Sequence, residues 1–134
     1  MRVLTIIIAL FVSVSSPVRA ADDVSNVQSI IRLQEQAIGR DDAASAFSFA
    51  APSIQSIFQD PETFMSMVRK GYAPIYRHKS FDFGVSRTVE GKVAQSVTIV
   101  DADGVSWEAL YILEQQPDGS MKISGCTLSK LVGA

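Results

Sequence analysis

The hydrophobic period of this chain changes once, from helical to alternating, and the change falls at the stretch from Phe64 to His78. An apolar residue every third or fourth position buries one face of a helix, whereas strict alternation buries one face of a strand; neither pattern serves the other element. Helices therefore come first and strands afterwards. That order predicts an α+β fold in which N-terminal helices pack on one face of an antiparallel sheet of about four strands.

Before the joint, Val24, Val27, Ile30, Ile31 and Ile38 recur at helical spacing, with Gln28, Arg32, Glu35 and Gln36 on the other side. Gly39 is expected to cap the end of this helix, and Asp41 or Asp42 to cap the start of the next. Ala43, Ala44, Phe47, Ala50 and Ala51 make a short second helical face, which Ala51-Pro52-Ser53 interrupts. Ser53 is then expected to cap a further turn carrying Ile54, Ile57 and Phe58. Asp60-Pro61-Glu62 reads as a fresh start: a capping carboxylate, a proline at the first helical position and an acid at the positive end of the helix dipole. This helix should carry Phe64, Met67 and Val68 inward and stop at Gly71 in a left-handed turn.

After Pro74, Phe81, Phe83 and Val85 alternate with Asp82, Gly84 and Ser86, and Glu90-Gly91 offers a turn. Val93, Val97 and Ile99 share a face of the next strand. Asp101-Ala102-Asp103-Gly104 is a hairpin signal, since glycine accepts the positive φ of a tight turn. The run from Val105 to Glu114 places Val105, Trp107, Ala109, Tyr111 and Leu113 on one face, with apolar residues on both faces at its middle, as in a central strand. Pro117-Asp118-Gly119 turns the chain once more. In the last strand, Met121 to Leu128, Gly125 is expected to seat a bulge that lets Ile123, Cys126 and Leu128 share one side.

The N-terminus reads as an export signal. A positive start at Arg2, an apolar run from Val3 to Val14, and small residues Val18 and Ala20 place cleavage after Ala20, leaving residues 21–134 as one α+β domain, periplasmic or secreted. About 12 apolar residues at ~1.5 Å each reach only ~18 Å, short of a ~30 Å hydrocarbon core, so no membrane association is expected once the signal is gone. Cleavage removes Arg2 and Arg19, taking the basic residues from 12 to 10 against 14 acidic, a net charge of −4. With no basic stripe, that balance argues against nucleic acid. Cys126 is the single cysteine, so it forms no internal disulfide and reads as a buried small hydrophobe.

Several phrases carry a resemblance. The opening helix, the phrase Ala37-Ile38-Gly39-Arg40-Asp41-Asp42-Ala43-Ala44-Ser45-Ala46-Phe47 and the late meander resemble the nuclear-transport-factor-2-like superfamily, a cone of helices wrapped by a curved sheet. More narrowly, Phe47-Ser48-Phe49-Ala50-Ala51-Pro52, Phe64-Met65-Ser66-Met67-Val68-Arg69, Gly71-Tyr72-Ala73-Pro74-Ile75-Tyr76-Arg77 and Ile123-Ser124-Gly125-Cys126 resemble the small exported bacterial proteins of domain-of-unknown-function family 4864. The resemblance implies a pocket at the open end of the cone and a homodimer through the sheet face. It implies no activity.

The residues that could do chemistry are few. Acid-base catalysis of the isomerase or cyclase type found in the superfamily needs an acid and a base with separated pKa values; Tyr72, Tyr76, His78, Asp82, Glu108 and Tyr111 are the candidates, with His78 and Asp82 the catalytic alternative. His78 lies in Arg77-His78-Lys79, which reads as a solvated strand edge. One histidine and one cysteine are too little for zinc, and Asp101-Ala102-Asp103-Gly104 lacks the remaining ligands of a calcium loop, so no metal and no cofactor is expected. Neither a nucleophile elbow nor a glycine-rich phosphate loop is present. The aromatic set Tyr72, Tyr76, Trp107 and Tyr111 instead suits the wall of a pocket for a small apolar ligand. The expectation is a non-catalytic module that binds a small molecule or a protein, with an acid-base enzyme as the alternative.

Overall fold

The computed structural model describes residues 20–132, so the expected signal peptide falls outside the described residues except for Ala20, which starts the first helix. Five helices, α1 (Ala20–Gly39), α2 (Ala43–Ser48), α3 (Pro52–Phe58), α4 (Pro61–Gly71) and α5 (Ala73–Tyr76), precede four strands, β1 (His78–Val89), β2 (Lys92–Asp101), β3 (Ser106–Gln115) and β4 (Met121–Lys130). The strands form an antiparallel meander in chain order that does not close into a barrel. The expected α+β architecture is what the chain adopts. One core joins Val27, Ile31 and Ile38 of α1 and Phe64, Met65 and Val68 of α4 to Val97, Ile99, Ala109, Tyr111 and Leu113 of the two central strands.

Local chemistry sets the helix starts. Asp42 caps α2 by accepting from the Ser45 N–H at 3.1 Å, and Asp60 caps α4 by accepting from the Thr63 N–H at 2.8 Å. The stops are set otherwise. Gly39 and Gly71 end their helices without positive φ; the left-handed residue after α1 is Asp41, at φ 57°, and Tyr72 closes α4 at φ −131°. Pro74 explains the second case, because it carries the chain straight into the turn of α5.

The second helix ends at Ser48 rather than running to Ala51. Phe49–Ala51 leave it to pair with β4: the Ile123 N–H donates to the Phe49 carbonyl at 2.9 Å, and the Ala51 N–H donates to the Ile123 carbonyl at 2.7 Å. Ala50 and Ala51 are buried as expected, but against a strand. Ser53 caps nothing, since α3 starts at Pro52 behind Ala51. In α4 it is Met65 that is fully buried, while Met67 is half-buried.

Two of the three register irregularities in the described sheet set the strand faces around the core. Phe83 pairs with Val97 but Ser86 with Gln95, so β1 carries one extra residue between them; Val85 is thrown outward to 69 % exposure and Ser86 turns in. In β4, Gly125 pairs with Ile112 and Ile123 with Leu113, leaving Ser124 as the extra residue. That is the bulge expected at Gly125, and beyond it Cys126 and Leu128 pack against the same core as Ile123.

Candidate functional site: an apolar cavity under the third helix

A cavity of about 390 Å³ lies between the helices and the inner face of β3 and β4. Gln34 and Ile38 reach it from α1, Ile54, Ile57 and Phe58 from α3, and Phe64, Met67 and Val68 from α4. The sheet contributes Tyr111, Ile123 and Cys126, and Tyr72 and Ile75 close the side where the helices meet the strands. No described lining residue carries a charge. The polar side chains on the wall are Gln34, Tyr72, Tyr111 and Cys126.

Each of these is placed by a local cause. The two-residue period of β3 turns Tyr111 inward between Ala109 and Leu113, leaving it 2 % exposed. The bulge at Ser124 sets the phase of β4 so that Cys126 faces the cavity. Tyr72, at the end of α4, donates its hydroxyl proton to the Cys126 carbonyl at 2.8 Å. Gln34 donates its amide to the Ala46 carbonyl at 3.2 Å.

Burial governs the protonation of this wall. It pushes the Cys126 thiol up to about 12, although the Tyr111 hydroxyl beside it works the other way. Burial likewise raises Tyr111 well above the ordinary tyrosine value, with neighbouring Cys126 and Glu35 adding to it, and raises Tyr72 to a smaller degree. At neutral pH the cavity therefore presents two hydroxyls, a thiol and an amide, all uncharged. Such a wall offers uncharged hydrogen-bonding groups only, and the thiol is too weakly acidic to serve as a nucleophile there.

The aromatic set expected to line a pocket divides. Tyr72 and Tyr111 are on the wall. Tyr76 and Trp107 are not: the Tyr76 hydroxyl donates to Asp41 Oδ1 at 2.7 Å, with the Arg77 and Arg69 guanidinium carbons 3.8 and 5.7 Å from its ring centroid, and the Trp107 indole N–H donates to Asp101 Oδ2 at 2.9 Å. Both tie connections to elements. Ion pairs and hydrogen bonds hold them where the apolar cavity offers no counterpart.

His78 is no solvated edge residue. Its side chain is only 16 % exposed, Nε2 lies 2.8 Å from Glu35 Oε1, and Nδ1 lies 3.1 Å from both the Pro74 and Ile75 carbonyl oxygens. Arg32 completes the group, donating to Glu35 Oε2 at 2.6 Å and to the Phe81 carbonyl at 3.1 Å. Asp82 and Glu108 lie elsewhere. Each alternates with inward residues of its strand, both are exposed, and both pair with Thr98 on the outer sheet face. The combination of His78 with Asp82 or Glu108 does not assemble, because the strand period sends the carboxylates to the far side of the sheet.

Sequence reading missed Gln34, Glu35 and Cys126 as site or near-site residues. For Cys126 the signal was present, since Gly125 marked the bulge that aims it. For Glu35 there was none, as its partner lies 43 residues away. Among the described residues, no three of His, Cys, Asp and Glu gather in a way that could hold a metal ion.

Fold and cavity together define a small α+β domain with an uncharged apolar chamber between its helical layer and a four-stranded meander. The chain belongs to the family described as Domain of unknown function (DUF4864), whose model matches residues 20–133. Comparison with curated proteins finds no match.

Proposed function

We propose that this protein is an exported module whose cavity under α3 binds a small apolar molecule. The observation that carries the reading is a chamber of about 390 Å³ walled by aliphatic and aromatic side chains with a few uncharged polar groups, which is the composition and size of small-molecule sites. The sequence supports the rest of the proposal: cleavage after Ala20 for export, kinship with the nuclear-transport-factor-2-like superfamily from the helices-then-meander layout, and a homodimer through the outer sheet face, where Leu110 is 38 % exposed. Light scattering on the chain from Ala21 onward tests the dimer, and a monomer at micromolar concentration counts against it.

The cavity is tested with N-phenyl-1-naphthylamine, an uncharged dye that brightens in apolar surroundings. The wild type is expected to give saturable one-to-one binding. Met67→Trp, which puts a larger ring into the chamber from a half-buried position, should abolish it, whereas Tyr76→Phe, outside the chamber, should leave it unchanged. Absence of saturable binding by the wild type, or equal binding by folded Met67→Trp, sinks the reading.

A further inference from the structure

The chemistry of the wall narrows the ligand, on the footing that the cavity is a binding site. We infer that it accepts an uncharged molecule with an apolar body and one neutral oxygen function, a hydroxyl or a carbonyl, and turns away the matching carboxylate or ammonium.

Three observations combine. First, no charged side chain among the described residues lines the chamber, so a ligand ion brought inside would be desolvated without a counter-charge. An unpaired buried ion costs far more than a buried polar group, and no rearrangement of tyrosine, glutamine and cysteine supplies the missing charge. Second, the hydroxyls are arranged to meet a neutral oxygen. The Tyr72 proton is already committed to the Cys126 carbonyl at 2.8 Å, which leaves the oxygen of this wall residue as an acceptor only. Tyr111, 2 % exposed, brings a second hydroxyl to the same wall beside the Cys126 thiol, close enough that Tyr72 and Cys126 both act on it electrostatically. A ligand hydroxyl can donate to the first and accept from the second; a ligand carbonyl can accept from the second. Third, the opposite wall, Ile54, Ile57 and Phe58 of α3, offers only hydrocarbon. The polar end of a ligand is thereby directed to the sheet and its apolar end to the helix.

The test is displacement of N-phenyl-1-naphthylamine at pH 7.5 by 1-octanol, octanoate and octylammonium, which share one chain and differ in head group. Octanol is expected to displace the dye at a concentration at least ~100-fold below either ion, the ratio that an uncompensated buried charge imposes. Tyr111→Phe should weaken octanol by roughly 3- to 10-fold more than it weakens the dye, the loss of one neutral hydrogen bond. Tyr72→Phe should do the same and serves if Tyr111→Phe does not fold. Should octanoate or octylammonium compete as well as octanol, or octanol be indifferent to the tyrosine that can be tested, the selectivity is overturned while the cavity reading stands. No dye binding at all overturns both.

Discussion

Gln95 shows what a single residue can hold together. It is fully buried in β2, its amide nitrogen donates to the Gly84 carbonyl at 3.0 Å and the Ser96 carbonyl at 2.8 Å, and its oxygen accepts from Ser86 and, at 3.2 Å, from Gln28. The β1 bulge takes the Gly84 carbonyl out of the regular ladder, and Gln95 satisfies it. Gln95→Leu keeps the volume but strands those partners, so a loss of ~2–3 kcal/mol in urea unfolding is expected, with little change in slope. Nothing local in the sequence announces this: Val85 continues the alternation begun by Phe81 and Phe83, and only the cross-strand count reveals the extra residue. Cys126 was legible as a small residue packed against the core; it is half-buried there, and the apolar surroundings of its thiol have a second consequence. With its thiol pushed up to about 12, the thiolate fraction at pH 8 is ~10⁻⁴. Iodoacetamide should therefore alkylate Cys126 in the native protein at least ~100-fold more slowly than in urea, as followed by mass spectrometry.

At the scale of elements, α3 stands apart. It is the one described helix of the four after α1 in which no residue is buried, yet Ile54, Ile57 and Phe58 form a wall of the cavity, with Ile57 69 % exposed. Its exit is strained. Gln59 sits at φ 68° and ψ −38°, and the Asp60 N–H donates to the Phe58 carbonyl at 2.8 Å, a tight γ-turn that side-chain-bearing residues rarely adopt. Such a conformation costs ~1–3 kcal/mol, while glycine there would add ~0.5–1 kcal/mol of unfolded-state entropy. Gln59→Gly is accordingly expected to stabilise the protein by about 1 kcal/mol in urea unfolding, whereas Gln59→Ala, which keeps a Cβ, should not. The strong start of α4 was legible because Asp60-Pro61-Glu62 acts within one turn. The end of α2 was not, because Phe49–Ala51 are drawn off by Ile123, more than seventy residues on, and no short-range signal encodes that pairing.

The molecule as a whole is pinned by carboxylates that accept hydrogen bonds at its corners, and this fixes how its stability responds to acid. Asp41 is held low by the Tyr76 hydroxyl and then Arg69, Asp42 by Ser45, Asp60 by the Thr63 N–H, Asp101 by the Trp107 indole and then the Val105 N–H, and Asp118 by Ser120. Each sits below the ordinary 3.8 in the folded chain and returns toward it on unfolding. The unfolded chain thus binds protons first as pH falls, so the stabilisation is complete above the unfolded value and is lost on descent through the folded ones. Cys126 works in the opposite sense at the other end: its raised folded value, about 12 against 9.0, gives stability that is whole below 9 and lost as pH climbs toward 12. The urea midpoint should therefore be level from about pH 5 to 8, fall below about pH 4, and fall again above about pH 9. Trp107 fluorescence is a suitable reporter, since its indole N–H donates to one of the titrating carboxylates at 2.9 Å. Asp101→Asn should lower the neutral plateau and flatten the acid limb together. Cys126→Ala should move the onset of the alkaline limb upward, leaving the part that Tyr111 and Tyr72, also raised by burial, contribute above about pH 10. An acid limb as steep in Asp101→Asn as in the wild type would show that this corner contributes nothing to the linkage.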